Sequence, residues 1–150
     1  MPARSFDTPL GPVTVHEADG AIVRLDWARG AADDTPVLRA AEIQLTAYFA
    51  GERRHFDLPI RINASAAQQA VCAAMLAIPM GETRTYGDLA RVLTLSAQAV
   101  GQLCGGNPIP IIVPCHRILG ASTLGGFSAP GGIEAKVWLL RHEKAGGVLI

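Results

Sequence analysis

Of the three cysteines in the 150-residue chain, Cys72, Cys104 and Cys115, only Cys115 has neighbours that could make it reactive. His116 and Arg117 follow it directly, and positive potential beside a thiol favours the thiolate. That help matters because a free thiol, with a pKa near ~8.5, is only a few per cent ionised at neutral pH. Pro108, Pro110 and Pro114 rule out a helix between Gly106 and Ile118 and set Cys115 at the end of a rigid, extended, apolar segment. Glu143 is the second chemistry-bearing group. It closes a helical stretch, where a carboxylate opposes the helix dipole unless something partners it. Either Glu143 is a solvated helix end, or it orients the His116 imidazole as the third member of a cysteine–histidine–acid relay. Cys115 has an equally plain reading, a buried structural cysteine beside a chance histidine.

The cysteines contain no CxxC pair and no even-numbered framework, which argues against a disulfide scaffold and a paired-cysteine zinc site. Free thiols in a reducing cytoplasm are expected instead. No cysteine precedes Cys72, so His16 and His55 have no thiolate with which to share a metal. Neither metal nor cofactor is expected.

The elements that must position these groups read as two lobes, 1–62 and 63–150, of an α+β fold. In the first, Gly11–His16 and Ala21–Trp27 alternate around Ala18-Asp19-Gly20, a hairpin signal. Val37, Leu38, Ala41, Leu45, Tyr48 and Phe49 recur at helical spacing until Gly51, and His55–Ile60 reads as a short edge strand limited by Pro59. In the second lobe, Ser65 caps a helix whose Val71, Met75 and Leu76 face inward, and Ile78-Pro79 ends it. Tyr86–Leu93 and Ala97–Cys104 are two short helices around a tight turn, the second capped by Ser96 and ended by Gly105-Gly106. That is a helix-turn-helix pattern, which in isolation says little about DNA. A last helix, Ile133–Glu143, packs through Ile133, Val137 and Leu140, with Trp138 beside them.

Composition narrows the class. Hydrophobic residues make up 49% and charged ones 17%, with mean hydropathy +0.26, so the chain is globular rather than disordered. Apolar runs fall far short of the roughly 18 residues that span a bilayer, and the N-terminus lacks the apolar core of a signal peptide. The net charge is zero, made of −2 over residues 1–75 (7 basic, 9 acidic) and +2 over 76–150 (6 basic, 4 acidic). Any affinity for phosphate therefore belongs to the second half.

Three stretches taken together are specific: Asn107-Pro-x-Pro-x-x-x-Pro-Cys-His-Arg117, the upstream Pro79-Met-Gly-Glu-Thr-Arg-Thr-Tyr-Gly-Asp-Leu-Ala90, and the downstream Gly125-Gly-Phe-Ser128 with Lys136-x-Trp-Leu-Leu-Arg-His-Glu143. In this order, over residues 65–144, they resemble the O6-alkylguanine-DNA alkyltransferase family. Tyr48-Phe-Ala-Gly-Glu-Arg-Arg54 and Phe56-Asp-Leu-Pro59 extend the resemblance into the first lobe. It implies a ribonuclease H-like N-terminal lobe and a helical C-terminal lobe with a winged helix-turn-helix-like element. The implied activity is DNA repair by irreversible transfer of an alkyl group, methyl above all, from O6 of guanine to the protein's own cysteine. Each molecule acts once, on a base flipped out of the duplex.

Carried over residue by residue, Cys115 is the acceptor, His116 the base that draws off its proton through a water, and Glu143 the group that holds His116. Asn107 fixes the turn before the active strand. Tyr86 crowds the target's phosphate and donates to the leaving base. Ser128 hydrogen-bonds the guanine near O6, Phe127 packs against it, and the carbonyls of Val113 and Cys115 read its amino group. Arg84, Ser96, Gln98, Ala99 and Gly101 fall at DNA-binding positions. The implied partner is DNA containing alkylated guanine, with no membrane, and a monomer is expected.

Four departures from the family pattern bear on substrate. Gln98-Ala-Val-Gly101 stands where the family has Arg-Ala-Val-Gly, and glutamine lacks the charge, reach and flat guanidinium of arginine. Ser96 to Gly106 carries no Lys or Arg at all. Ala67 and Cys72 replace an aromatic pair, and the loop Ser128–Ile133 is longer than the family's. These features keep a divergent transferase, with another lesion or a single strand as substrate, beside the main reading. A lesion sensor on the same scaffold would replace the acceptor cysteine, which is intact here. A cysteine hydrolase would need turnover, for which an adjacent Cys-His pair is awkward.

Overall fold

The first 26 residues form three strands, β1 (Ala3–Thr8), β2 (Gly11–Ala18) and β3 (Ala21–Asp26), in an antiparallel sheet of order β1-β2-β3. The computed structural model describes residues 1–145, which divide into one unit of Met1–Asn63 and a second beginning at Ala64. The β2–β3 turn is the predicted one: Asp19 and Gly20 both take positive φ (+49° and +79°), as a tight two-residue hairpin requires. β1 has no counterpart among the sequence expectations. Its polar ARSFDT lacks clean alternation, and its place is set by pairing with β2, Ala3 opposite His16 and Phe6 opposite Val13. Helix α1 (Pro36–Phe49) starts where Thr35 Oγ1 accepts the Leu38 N–H (3.1 Å) and proline occupies the first turn. It buries Leu38, Ala41, Leu45 and Tyr48, while Val13, Val15, Ile22 and Leu25 bury from the sheet. His55–Ile60 is not a strand. It touches β3 at one bridge, Ile60 with Ile22, flanked by Ile22 N–H to Pro59 O (2.8 Å), because Pro59 has no N–H with which to extend a ladder.

The second unit holds α2 (Ala66–Leu76), β4 (Arg84–Thr85), α3 (Tyr86–Leu93), α4 (Ala97–Gly105), β5 (Ile118–Leu119) and α5 (Ile133–His142), with β4 and β5 paired in parallel. On α2 the buried stripe is Gln68, Val71, Cys72 and Met75. Leu76, expected inward, lies at the stripe's margin on the last turn and is 45% exposed. Helix α3 begins with a capping box: Thr85 Oγ1 accepts from Asp88 N–H (3.0 Å) and Asp88 Oδ2 accepts from Thr85 N–H (2.9 Å). It ends on Thr94, held at φ +56°, and Ser96 Oγ then caps α4 through the Ala99 N–H (3.0 Å). On α5 the packing face is Ala135, Lys136, Leu139 and Leu140. The expected anchor Ile133 is 46% exposed, and Val137 and Trp138 are half-buried, because the buried stripe runs through 135–136–139–140 and passes them on its flank. Among the described residues no helix is long and apolar enough to cross a membrane.

Thr94 is a β-branched residue in the left-handed region, a conformation that glycine takes without steric cost. Thr94→Gly is expected to raise the unfolding free energy by about 0.5–1 kcal/mol in urea titrations, the cap strain relieved exceeding the added chain entropy.

Candidate active site

Asn107 organises the segment that carries Cys115. Its Nδ2 donates to the Val113 carbonyl (2.8 Å) and its Oδ1 accepts from the Ile109 N–H (3.0 Å). Inside that brace, Val113 N–H donates to Ile109 O (2.9 Å), Ile112 N–H donates to Pro110 O (2.9 Å), and Ile111 sits at φ +72°. A β-branched residue there is strained by roughly 1–2 kcal/mol. Burial of Ile109, Ile111, Ile112 and Val113 holds it in place. The segment therefore doubles back instead of running extended into Cys115, and Cys115–Arg117 is a single 3-10 turn. Prolines exclude helix, but each fixes φ only at its own position, which leaves Ile111 free to reverse the chain.

Three side chains converge behind Cys115. His116 Nε2 donates to Glu143 Oε2 (2.7 Å), Arg117 Nε to Glu143 Oε1 (2.8 Å) and Arg117 Nη2 to Glu143 Oε2 (3.0 Å). Arg117 Nη1 also donates to the Ile78 carbonyl (2.6 Å). All three residues are buried. Glu143 is therefore not a solvated helix end. Burial pushes its carboxyl up, but the bonds and charges of His116 and Arg117 outweigh burial and hold it at about 2. Burial lowers the His116 pKa more than Glu143 raises it, so the imidazole is neutral. Its proton lies on Nε2, and Nδ1 is buried with no protein partner.

Cys115 opens into a cavity of about 300 Å³ with Tyr86, Cys104, Phe127 and Ser128, and glycines 101, 105 and 126 complete the wall. Phe127 stands edge-on to the His116 ring, centroids 6.4 Å apart. Gly101 faces the Tyr86 ring, where a Cβ would make an ordinary contact at 4.0 Å. Burial pushes the Cys115 thiol up. This reverses the expectation that its two neighbours favour thiolate: Arg117 is spent on Glu143 and His116 is neutral. What lowers the thiol is the Asn107 side chain first, then the charge of Lys136. Cys104, in the same cavity, is pushed by burial to about 12, which leaves it a poor nucleophile.

The fold thus brings together Cys115, His116, Glu143, Asn107, Tyr86, Phe127 and Ser128. It does not bring Val113 to the cavity: its carbonyl already accepts from Asn107 Nδ2 and from the Cys115 N–H (2.8 Å). Ser96 and Gln98 are exposed on α4 and Ala99 is half-buried, whereas Gly101 belongs to the cavity wall rather than to an outer face. Arg84 is paired with Glu82 (3.1 Å). His16 bonds Asp26 (3.0 Å), and no cluster able to hold a metal occurs among the described residues. Sequence reasoning missed Lys136, which is fully buried and donates to two carbonyls. Its signals were its place in the downstream motif and its spacing from Leu139 and Leu140 on the apolar stripe.

Comparison with known proteins gives one family for both lobes. Residues 66–145 match the family described as 6-O-methylguanine DNA methyltransferase, DNA binding domain, and residues 3–62 match its ribonuclease-like domain. The methylated-DNA–protein-cysteine methyltransferase of Mycobacterium tuberculosis is 40% identical over 153 residues, covering 95% of this chain and 92% of its own. The constitutive enzyme of that name from Bacillus subtilis is 39% identical, covering 92% of each. The crystal structure of Mycobacterium tuberculosis OGT in complex with DNA superposes with a TM-score of 0.87 at 40% identity, over 96% of this chain and 93% of that one. Matched in both lobes and along nearly its whole length, the chain belongs to the 6-O-methylguanine DNA methyltransferase family.

Proposed function

We propose that the chain is a methylated-DNA–protein-cysteine methyltransferase whose acceptor is Cys115, taking an alkyl group from O6 of a guanine flipped out of DNA. The observation that carries this reading is the cavity itself. Of the two thiols that line it, Cys115 is backed by a neutral imidazole whose partner carboxylate is ionised and buried, while burial pushes Cys104 to about 12. His116 Nδ1, the free lone pair, takes the Cys115 proton through a water. The thiolate attacks the alkyl carbon, an S–C bond forms, and the C–O6 bond breaks. Tyr86, its hydroxyl kept protonated by burial, gives a proton to a ring nitrogen so that guanine leaves neutral. Phe127 packs on the base and Ser128 bonds it near O6. With the S–C bond made, the site is used up after one turnover. The protein acts as a monomer.

DNA lies along α3 and α4 in this reading, with Gln98 entering the gap that the base leaves. A flipped base costs a few kcal/mol of unstacking, and glutamine can bond the orphaned partner but cannot stack as a guanidinium does or attract phosphate. No basic side chain on α4 compensates, and Arg91 on α3 is paired with Asp88. Loosely stacked lesions, in mismatches or single strands, are therefore the favoured substrates.

Intact mass after exposure to an oligonucleotide carrying O6-methylguanine tests the assignment. One added methyl mapped to Cys115 is expected, and Cys115→Ala should fold and gain none; methylation of Cys104 or Cys72 in that variant would sink it. Glu143→Gln should slow single-turnover transfer by at least about tenfold and destabilise the chain by about 3–5 kcal/mol, since Arg117 loses its buried counter-charge. The wild-type stability that the carboxylate supplies is present above pH 4.5 and should disappear as pH falls from there toward about 2. Gln98→Arg should tighten duplex binding and steepen its salt dependence by about one counterion, with a smaller gain on single strands. Equal gains on both would remove the gap-filling role of position 98.

A further inference from the structure

Lys136 has no accessible surface, yet an ammonium withdrawn from water costs several kcal/mol unless its bonds are replaced. Its Nζ donates to the Ile118 carbonyl at 2.6 Å and to the Gly126 carbonyl at 3.2 Å. These two acceptors belong to the two separate segments that supply Cys115 and Phe127–Ser128 to the cavity. Ile118 directly follows the turn that carries Cys115, and Gly126 directly precedes Phe127 and Ser128. The N–H of the Gly126 residue lies against the Tyr86 hydroxyl, and the Tyr86 ring centroid is 6.0 Å from Nζ. Gly125, at φ +73°, lets the loop come this close, because a Cβ there would stand 2.6 Å from that hydroxyl. The loop from Gly120 to Gly132 has no helix or strand of its own to fix Phe127.

We propose that Lys136 is a positioning residue of the base pocket: by gripping the Gly126 and Ile118 carbonyls together, it sets Phe127, Ser128 and the Tyr86 hydroxyl in register with the Cys115 sulfur. This rests on the reading of the cavity as the guanine site. The grip is strongest with the lysine charged, since charge-assisted hydrogen bonds are roughly twice as strong as neutral ones. Burial lowers the Lys136 pKa to about 8, so the grip weakens just above neutral pH. The titratable groups that feel the ammonium are Cys115, Cys104 and His116, with Tyr86 beside it. Its charge lowers the Cys115 thiol as well, so a test must separate pocket from thiol.

Single-turnover transfer from an O6-methylguanine oligonucleotide, run across a concentration series from pH 6.5 to 9.5, provides that separation. Cys115 ionisation is read independently from its alkylation by iodoacetamide, mapped by mass. In Lys136→Met the half-saturating oligonucleotide concentration should rise by about tenfold or more, as for loss of a hydrogen bond to a charged group. The transfer rate per thiolate should also fall. Lys136→Arg, keeping charge and donors, should recover part of both. In the wild type, half-saturation should rise as pH passes about 8 although the thiolate fraction grows. A Lys136→Met chain whose only change is the thiol's ionisation overturns the proposal. If that variant does not fold, the wild-type series decides, and a half-saturation that stays flat to pH 9.5 overturns it equally. A wild-type chain that gains no methyl on Cys115 overturns the transferase reading itself, a separate failure.

Discussion

Glu143 is a buried carboxylate at the C-terminal end of α5, where the helix dipole already disfavours a negative charge. It is ionised only because it accepts three hydrogen bonds from His116 and Arg117. Those bonds fasten the end of α5 to the Cys115–Arg117 turn, and Arg117 carries the fastening on to Ile78 after α2. Three elements far apart in sequence therefore meet at one charge. The same constraint fixes the imidazole: with Nε2–H committed to the carboxylate, the Nδ1 lone pair is what remains. A stability feature and an uncommitted lone pair come from one piece of geometry.

The wall around Cys115 is built from positions where side chains are missing or strained. Glycines 101, 105 and 126 leave the cavity open, and Ile111 holds an unfavourable φ so that the chain can turn back and present the thiol. Apolar burial of the isoleucines opposes that strain, and the Asn107 brace specifies which turn forms. Burial also keeps the thiol protonated at rest. In the proposed transfer, reactivity then comes from the His116 imidazole and the nearby ammonium rather than from ambient ionisation, while burial holds the Cys104 thiol in the same cavity at about 12.

The amino-acid sequence by itself determined the local framework and which groups are candidates for the chemistry. Ser65 and Ser96 mark helix starts because each hydroxyl caps an N–H three residues on, and Asp19-Gly20 supplies the positive φ values of the β2–β3 turn. The residue types left Glu143 as either a solvated helix end or a partner of His116, and the resemblance of the Pro-Cys-His-Arg motif to a family implied the second. The 55–60 segment fails as a strand because Pro59 has no N–H, whereas Leu76 and Ile133 turn outward for a different reason. Periodicity fixes a stripe to within about one residue, and the partner surface decides which margin is covered.

Only the tertiary structure decided protonation, commitment and closure. Arg117 could have stabilised a thiolate, but its bonds go to Glu143 and Ile78, 26 and 39 residues away, and no local propensity encodes partners at that separation. The Val113 carbonyl could have met a base, but the Asn107 amide and the Cys115 N–H occupy it. Lys136, which as a charged residue would ordinarily belong on a solvated face, lies instead on the apolar stripe of α5, where two carbonyls from separate segments replace its water. Sequence sets which groups can hydrogen-bond and ionise. Burial and the meeting of distant carbonyls and carboxylates decide which of them do.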